Sequence, residues 1–256
     1  MTVRLETDNG VATLTLDRRE KLNAMSDAMW NALYEHLGTI AEDESVRAVI
    51  LTGAGRAFCA GGDIDNMAKS DIVSGRARSR NRHRVITALY SLEKPVIAAV
   101  RGPVYGIGNG LALACDLIIA SDTARFSMAF KKVGVVPDGG TLFFLTQVLG
   151  IAKAKELVYT ARPIAAQEAV DLGIAMRMVP DDKLEPEAHS LAEELARSAT
   201  FALALTKKMF HAMAAPTLEQ LLEMETLASG IVRLTHDHKE GVAAFKEKRP
   251  PRFLGK

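Results

Sequence analysis

Three apolar runs, Val46 to Leu51, Val96 to Val100 and Leu117 to Ala120, are short for helices and too apolar for a water-facing surface. They read as buried strands, and the segments between them show helical spacing. Ser26 can cap a helix whose apolar positions Met29, Leu33, Leu37 and Ile40 recur at that spacing, and Gly106 to Ala114 reads as a short helix. Strands alternating with helices define an α/β fold. The chain opens differently, because Val3 to Glu6 and Val11 to Leu16 flank Asn9-Gly10, a dipeptide suited to a tight antiparallel hairpin. After Gly150 the pattern turns to helices punctuated by Pro163, Pro180, Pro186 and Pro216, with Met176 to Val179 as the only strand. An α/β core over residues 1–183 and a helical region over 184–256 follow, the last helix ended by Pro250-Pro251 and a basic tail, Arg252 to Lys256.

A chain of 256 residues with 48% hydrophobic content can bury a sizeable core. Thirty-two basic against thirty-one acidic side chains give a formal charge of +1, which argues against nucleic acid or a membrane surface as partner. Cys59 and Cys115 form no C-x-x-C and no His/Cys cluster, so no metal is expected and both read as buried small residues. The amino terminus enters directly into β pattern, with no leader-like apolar segment, which gives a cytoplasmic location as the expectation.

Two glycine-rich segments each follow a predicted strand: Ala60-Gly61-Gly62-Asp63, and Gly102 through Gly106, Gly108 and Gly110. Glycines there let backbone N–H groups approach a ligand, and one donor from each segment would make a two-donor hole for a developing oxyanion. They can equally be packing turns. A dinucleotide fingerprint with Asp122 as its acid fits poorly, because Gly106-x-Gly108-x-Gly110 has the wrong spacing.

"RREKLNAMS" at Arg18 to Ser26, "RAFCAGGDI" at Arg56 to Ile64 and "KPVIAAVRGPVYGIGNGLALACDLIIAS" at Lys94 to Ser121 resemble the enoyl-CoA hydratase/isomerase (crotonase) superfamily. So do "ARFSMAFKKVGVVPDGG" at Ala124 to Gly140 and "HKEGVAAFKEKRPPRF" at His238 to Phe253. The resemblance runs nearly end to end. It implies a spiral of β-β-α units followed by a trimerising helical region, assembled as a trimer or a dimer of trimers. It also implies an acyl-CoA thioester as substrate, with no separate cofactor, and places the two hole donors on Gly62 and Ile107.

By the same resemblance, the two glutamates that hydratases use would fall on Gly110 and Phe130, neither of which titrates. Isomerases that shift a β,γ double bond to α,β carry one carboxylate at the Pro-Asp-Gly position, here Asp138. An enoyl-CoA isomerase of fatty or aromatic acid breakdown is therefore the expectation, with hydratase in the broad family sense as an alternative. Asp138 also precedes a helical pattern at Leu142, Leu145 and Val148-Leu149 and can be its cap. His83 falls close to the base of aryl-CoA dehalogenases, whose aspartate matches Asp138 and whose tryptophan would fall on Phe130, so a dehalogenase or thioester hydrolase is a further alternative. Among arginines at 76, 78, 80, 82 and 84, His83 reads otherwise as a solvated surface residue. That arginine set leaves open a non-catalytic acyl-CoA- or RNA-binding protein. The resemblance further puts Lys21, Leu22, Ala60, Asp63 and Ile64 near CoA and Lys248 near its phosphates; Asp63 can also be a helix cap, and Lys248 an exposed terminal charge.

Overall fold

The computed structural model describes residues 3–67, 72–212 and 217–252. Pro216 and the motif residue Phe253 lie outside the described residues.

The opening hairpin forms as the Asn9-Gly10 dipeptide requires: β1 (Val3–Asp8) and β2 (Val11–Leu16) pair antiparallel, with Asn9 at φ 49° and Gly10 at φ 79°. Ser26 Oγ accepts from the Met29 amide at 3.3 Å and caps α1 (Asp27–Glu42). The helix buries Met29, Trp30, Leu33, Leu37 and Ile40 against the hairpin, each side chain stabilising the fold by about 1.5–3 kcal/mol. Then come β3 (Ala48–Gly53), α2 (Ile64–Met67), α3 (Ile72–Tyr90), β4 (Val96–Val100), β5 (Pro103–Tyr105) and α4 (Ile107–Leu113). They are followed by β6 (Leu117–Ser121), β7 (Arg125–Ser127), α5 (Thr141–Thr160), β8 (Ile164–Ala165), α6 (Ala166–Asp171) and β9 (Arg177–Val179). Four helices close the chain: α7 (Leu184–Arg197), α8 (Thr200–Ala212), α9 (Leu218–Val232) and α10 (His236–Lys246).

Six strands form one sheet in the order β1-β2-β3-β4-β6-β9, parallel except for the hairpin. Sequence pattern misses the second sheet, β5-β7-β8, so Met176 to Val179 is not the only strand region after Gly150. Its strands are two or three residues long, too short for alternation to show. Each pass of the spiral runs from a main-sheet strand into this small layer: β4 into β5, β6 into β7, and β3 into Cys59, which bridges to Val104.

The main sheet is covered on both faces. Leu14, Leu16, Val49, Leu51, Ala98 and Val100 join α1, α3 and α4 in the larger core. On the other face α7 packs Leu184, Ala188, Ala192 and Ala196 against Ile50, Ile97, Ala99 and Ile119. The chain from Leu184 therefore first completes the core. α9 then lies on α3, and α10 folds back on residues 129–133, where His238 Nδ1 sits 3.0 Å from the Val133 carbonyl. Among the described residues, no helix is long and apolar enough to cross a membrane.

Candidate active site

The two glycine segments meet because the chain after β3 runs beside β5. Phe58 N donates to Arg101 O at 2.7 Å, Cys59 N to Pro103 O at 3.0 Å, and Tyr105 N to Cys59 O at 2.9 Å. Both segments then turn sharply at glycines with positive φ, 115° at Gly61 and 51° at Gly106. A side chain would be strained at either, and one on Gly61 would also press on the Tyr105 carbonyl at 3.3 Å.

The next amide in each segment is the one of interest. Around Gly62, the Gly61 carbonyl accepts from Met25 N at 2.8 Å and Asp63 N donates to Met25 O at 3.1 Å, which fixes the loop without using the Gly62 N–H. Ile107 opens α4, where the first amides of a helix have no partner within it. Among the described residues neither the Gly62 nor the Ile107 N–H finds an acceptor. Cys59, three residues before Gly62, is buried and its thiol is pushed up to about 12, so it is neutral and no nucleophile.

The loop carrying Asp138 lies on the first turn of α4. A Cβ on Gly139 would stand 2.6 Å from Ile107 Cγ1, and one on Gly110 would stand 2.5 Å from the Gly139 carbonyl oxygen and 3.1 Å from Thr141 Oγ1. Phe130 is buried and borders the Gly106 turn, with Cε1 3.9 Å from a Cβ built there.

Asp138 is not a helix cap. Gly139 and Gly140 both take left-handed φ, so α5 starts at Thr141 with Gly140 as its cap residue. It is the Asp138 carbonyl, not the carboxylate, that accepts from Thr141 N at 3.2 Å and from its hydroxyl at 2.7 Å. The carboxylate instead accepts from Arg82 Nη1 through Oδ2 at 2.9 Å, while Oδ1 is buried and has no hydrogen-bond partner among the described residues. Burial raises the Asp138 pKa, opposed by the nearby Arg82 and Arg233 guanidinium groups.

The arginine-rich helix α3 is therefore not a uniformly solvated face. Arg82 is only 7% exposed. Arg76, Arg80 and Arg84 are exposed, but Arg76 pairs with Glu223 at 3.1 Å and Arg84 stacks over Tyr34, 4.3 Å from the ring centre. His83 is half-buried, against the expectation of a surface residue, with Nδ1 3.4 Å from Thr226 Oγ1 on α9. Burial and the adjacent Arg82 push its pKa down to about 4, so the imidazole is neutral at pH 7.

Of the remaining predicted residues, Leu22 takes φ 49° and its carbonyl accepts from Ala60 N at 2.9 Å, tying the two loops together. Asp63 is held twice, by Arg18 Nη1 on Oδ2 at 2.8 Å and by the Asp65 amide on Oδ1 at 3.2 Å. Half-buried Ile64 opens α2, and exposed Lys21 reaches Asp65 at 3.4 Å. Lys248 is exposed just past α10, with φ 55°. Sequence reasoning missed Arg82 and Arg233, and also a cavity of about 460 Å³ near Lys248 lined by Lys131, Lys132, Phe245, Arg249 and Pro251. Among the described residues no group of three or more His, Cys, Asp or Glu is placed to hold a metal.

A two-layer β-β-α spiral with α/β packing and helices at its carboxyl end is a crotonase-type fold. An enoyl-CoA hydratase structure from Mycobacterium avium subsp. paratuberculosis superposes with a TM-score of 0.91 over 99% of both chains at 29% identity. Residues 6–256 match the profile described as enoyl-CoA hydratase/isomerase. A probable enoyl-CoA hydratase of Rhodobacter capsulatus is 39% identical over 100% of this chain and 98% of its own. The 1,2-epoxyphenylacetyl-CoA isomerase of Escherichia coli is 38% identical over 97% of each. The chain belongs to the enoyl-CoA hydratase/isomerase family.

Proposed function

We propose that the protein is an acyl-CoA isomerase that stabilises a thioester enolate at the Gly62 and Ile107 amides and moves a proton with Asp138. The reading is carried by one observation: a buried carboxylate with a single unpartnered oxygen, on a loop packed against the helix turn that Ile107 opens.

A β,γ-unsaturated acyl-CoA enters with its carbonyl oxygen between the two amides. Asp138 Oδ1 takes the proton on C2; the C2–H electrons form C1=C2 as the C1=O pair moves onto the thioester oxygen, giving a dienolate conjugated with C3=C4. Its C1=C2 pair becomes C2=C3 when the C3=C4 pair takes a proton at C4. The same carboxylic acid returns the proton to C4 as the carbonyl re-forms, leaving the double bond at C2–C3. Each amide donor lowers the barrier by about 3–4 kcal/mol, because its charge stabilisation is greater for the enolate than for the ground-state carbonyl.

Addition of water needs two proton-transfer groups, and the positions matched to them hold Gly110 and Phe130. No side chain fits at Gly110 while Gly139 stays in place. The E. coli relative's name, an isomerase, agrees with this reading, whereas the R. capsulatus relative carries the hydratase name. Lys21, Leu22, Ala60, Asp63 and Ile64 border the proposed CoA position, with Lys248 toward its phosphates, and the acting unit is proposed to be a trimer or a dimer of trimers.

The test is to incubate the protein with β,γ- and α,β-unsaturated acyl-CoAs and a halobenzoyl-CoA. Conjugation without mass gain is the expected product, and Asp138→Asn is expected to reduce it by about 100-fold or more. Gain of water assigns a hydratase instead, halide release assigns the His83 chemistry, and binding without turnover assigns a non-catalytic acyl-CoA protein.

A further inference from the structure

Resting on the isomerase reading, we propose that Arg82 is a positioning residue, which grips Asp138 by Oδ2 and leaves Oδ1 as the only oxygen able to take and return the substrate proton. A buried arginine needs an explanation here, since isomerisation as described calls on no cation. Arg82 Nη1 lies 2.9 Å from Oδ2, and the side chains of the pair are 9% and 16% exposed. Arg82 itself is held by α3, on the stripe that continues into fully buried Val85, Ile86 and Leu89. The guanidinium is thereby anchored on the helix rather than on the Asp138 loop, and it fixes the carboxylate's rotation from outside.

The charges around Asp138 come from three elements. α3 supplies Arg82, and the residue just past α9 supplies Arg233, 7% exposed; behind them Arg78 of α3 and Asp27 of α1, 3.4 Å apart, act on Arg233, and the neutral His83 adjoins Arg82. Two well-buried cations thus face one buried anion. Burial raises the Asp138 pKa and so favours its protonated form, which cannot accept the C2 proton. Arg82 opposes that protonation while occupying the oxygen that would otherwise compete with Oδ1. Because Arg82 meets the base and not the acyl group, its loss should act on turnover and its pH dependence, not on thioester affinity.

The experiment compares wild type, Arg82→Met and Arg82→Lys by kcat and KM against pH on a β,γ-enoyl-CoA. In parallel, the Asp138 carboxyl is titrated by ¹³C NMR, its signal assigned with Asp138→Asn. Arg82→Met is expected to move the carboxyl titration and the acid limb of kcat up by about one pH unit or more. Its kcat at pH 7 should fall by about tenfold or more, with KM within about twofold. Arg82→Lys keeps the charge without the planar fork, so it is expected to hold the titration near wild type while kcat still falls several-fold. If Arg82→Met does not fold, Arg82→Lys decides the matter: wild-type kcat, or a raised KM with intact kcat, overturns the positioning role. An unshifted carboxyl in folded Arg82→Met overturns it even in a protein that isomerises nothing. A shifted carboxyl in a chain that never isomerises instead overturns the reaction assignment and leaves the pair's role standing.

Discussion

The same substitution, glycine to alanine within a helix, should have opposite signs at Gly110 and Gly38. At Gly38, exposed on α1, an added Cβ meets nothing within 4 Å, so the helix gains propensity and the protein gains about 0.5–1 kcal/mol. At Gly110 the new Cβ stands 2.5 Å from the Gly139 carbonyl oxygen, against about 3.4 Å for an ordinary contact. That oxygen belongs to backbone, so no rotamer change relieves the clash. Overpacking of this kind costs about 1–3 kcal/mol and exceeds the propensity gain, leaving Gly110→Ala about 1–2 kcal/mol less stable than wild type. Urea midpoints at equal protomer concentration, with m unchanged, measure both. Relief also requires the Asp138 loop to move, so turnover in the proposed isomerisation should fall in parallel with stability. A Gly110→Ala protein as stable as wild type would refute the close approach, and with it the steric argument against a carboxylate at that position.

Other consequences are independent of that contact. His83 and His211 both have pKa values lowered to about 4 in the fold, so the unfolded chain binds more protons between pH 6.5 and 4. Stability should therefore rise with pH through that window and fall as pH drops through it, and His83→Gln with His211→Gln should flatten the profile of urea midpoint against pH. Phe201, Met209 and Phe210 on α8, with Leu227 and Ile231 on α9, are exposed large apolar side chains, the kind of surface an obligate subunit interface covers. Sedimentation equilibrium should give three or six copies, and Phe201→Glu with Phe210→Glu should yield smaller species; a monomeric wild type would sink the assembly proposed here.

What could be read in the sequence follows from how local each cause is. The Asn9-Gly10 hairpin, the Ser26 cap and β4 need only neighbouring residues, and they appear where the pattern puts them. β3 runs two residues later than its apolar run, because Val46 N donates back to the Asp43 carbonyl in the turn after α1 and the ladder begins with Ala48 opposite Val11. The small sheet depends on contacts between segments distant in sequence, such as Val104 with Phe126, Phe126 with Ile164 and Cys59 with Val104, and no local pattern encodes those. Arg82 was hidden by its chemistry, since an arginine among arginines reads as a solvated face. Its position was nonetheless visible, three, four and seven residues before Val85, Ile86 and Leu89, at the spacing of a buried stripe. Asp138 left two roles open because a glycine pair can either extend a loop or begin a helix; two left-handed residues at 139 and 140 decide for the loop.

The proposed chemistry then turns on a balance at one carboxylate. A base strong enough to remove a thioester α-proton benefits from burial, which makes its anion costly and its pKa high. The same burial tends to protonate it at neutral pH, which removes the base altogether. A lone buried aspartate would resolve this only at high pH, and a fully paired one would be too weak. Asp138 sits between these limits, with one oxygen held by Arg82, the other free, and a second guanidinium nearby. Since amides of the kind proposed for the hole serve any enolate, the acid/base groups packed around α4 decide which reaction follows: a chain with Gly110 closed by Gly139 has room for one proton carrier, and one carrier suits a double-bond shift better than the addition of water.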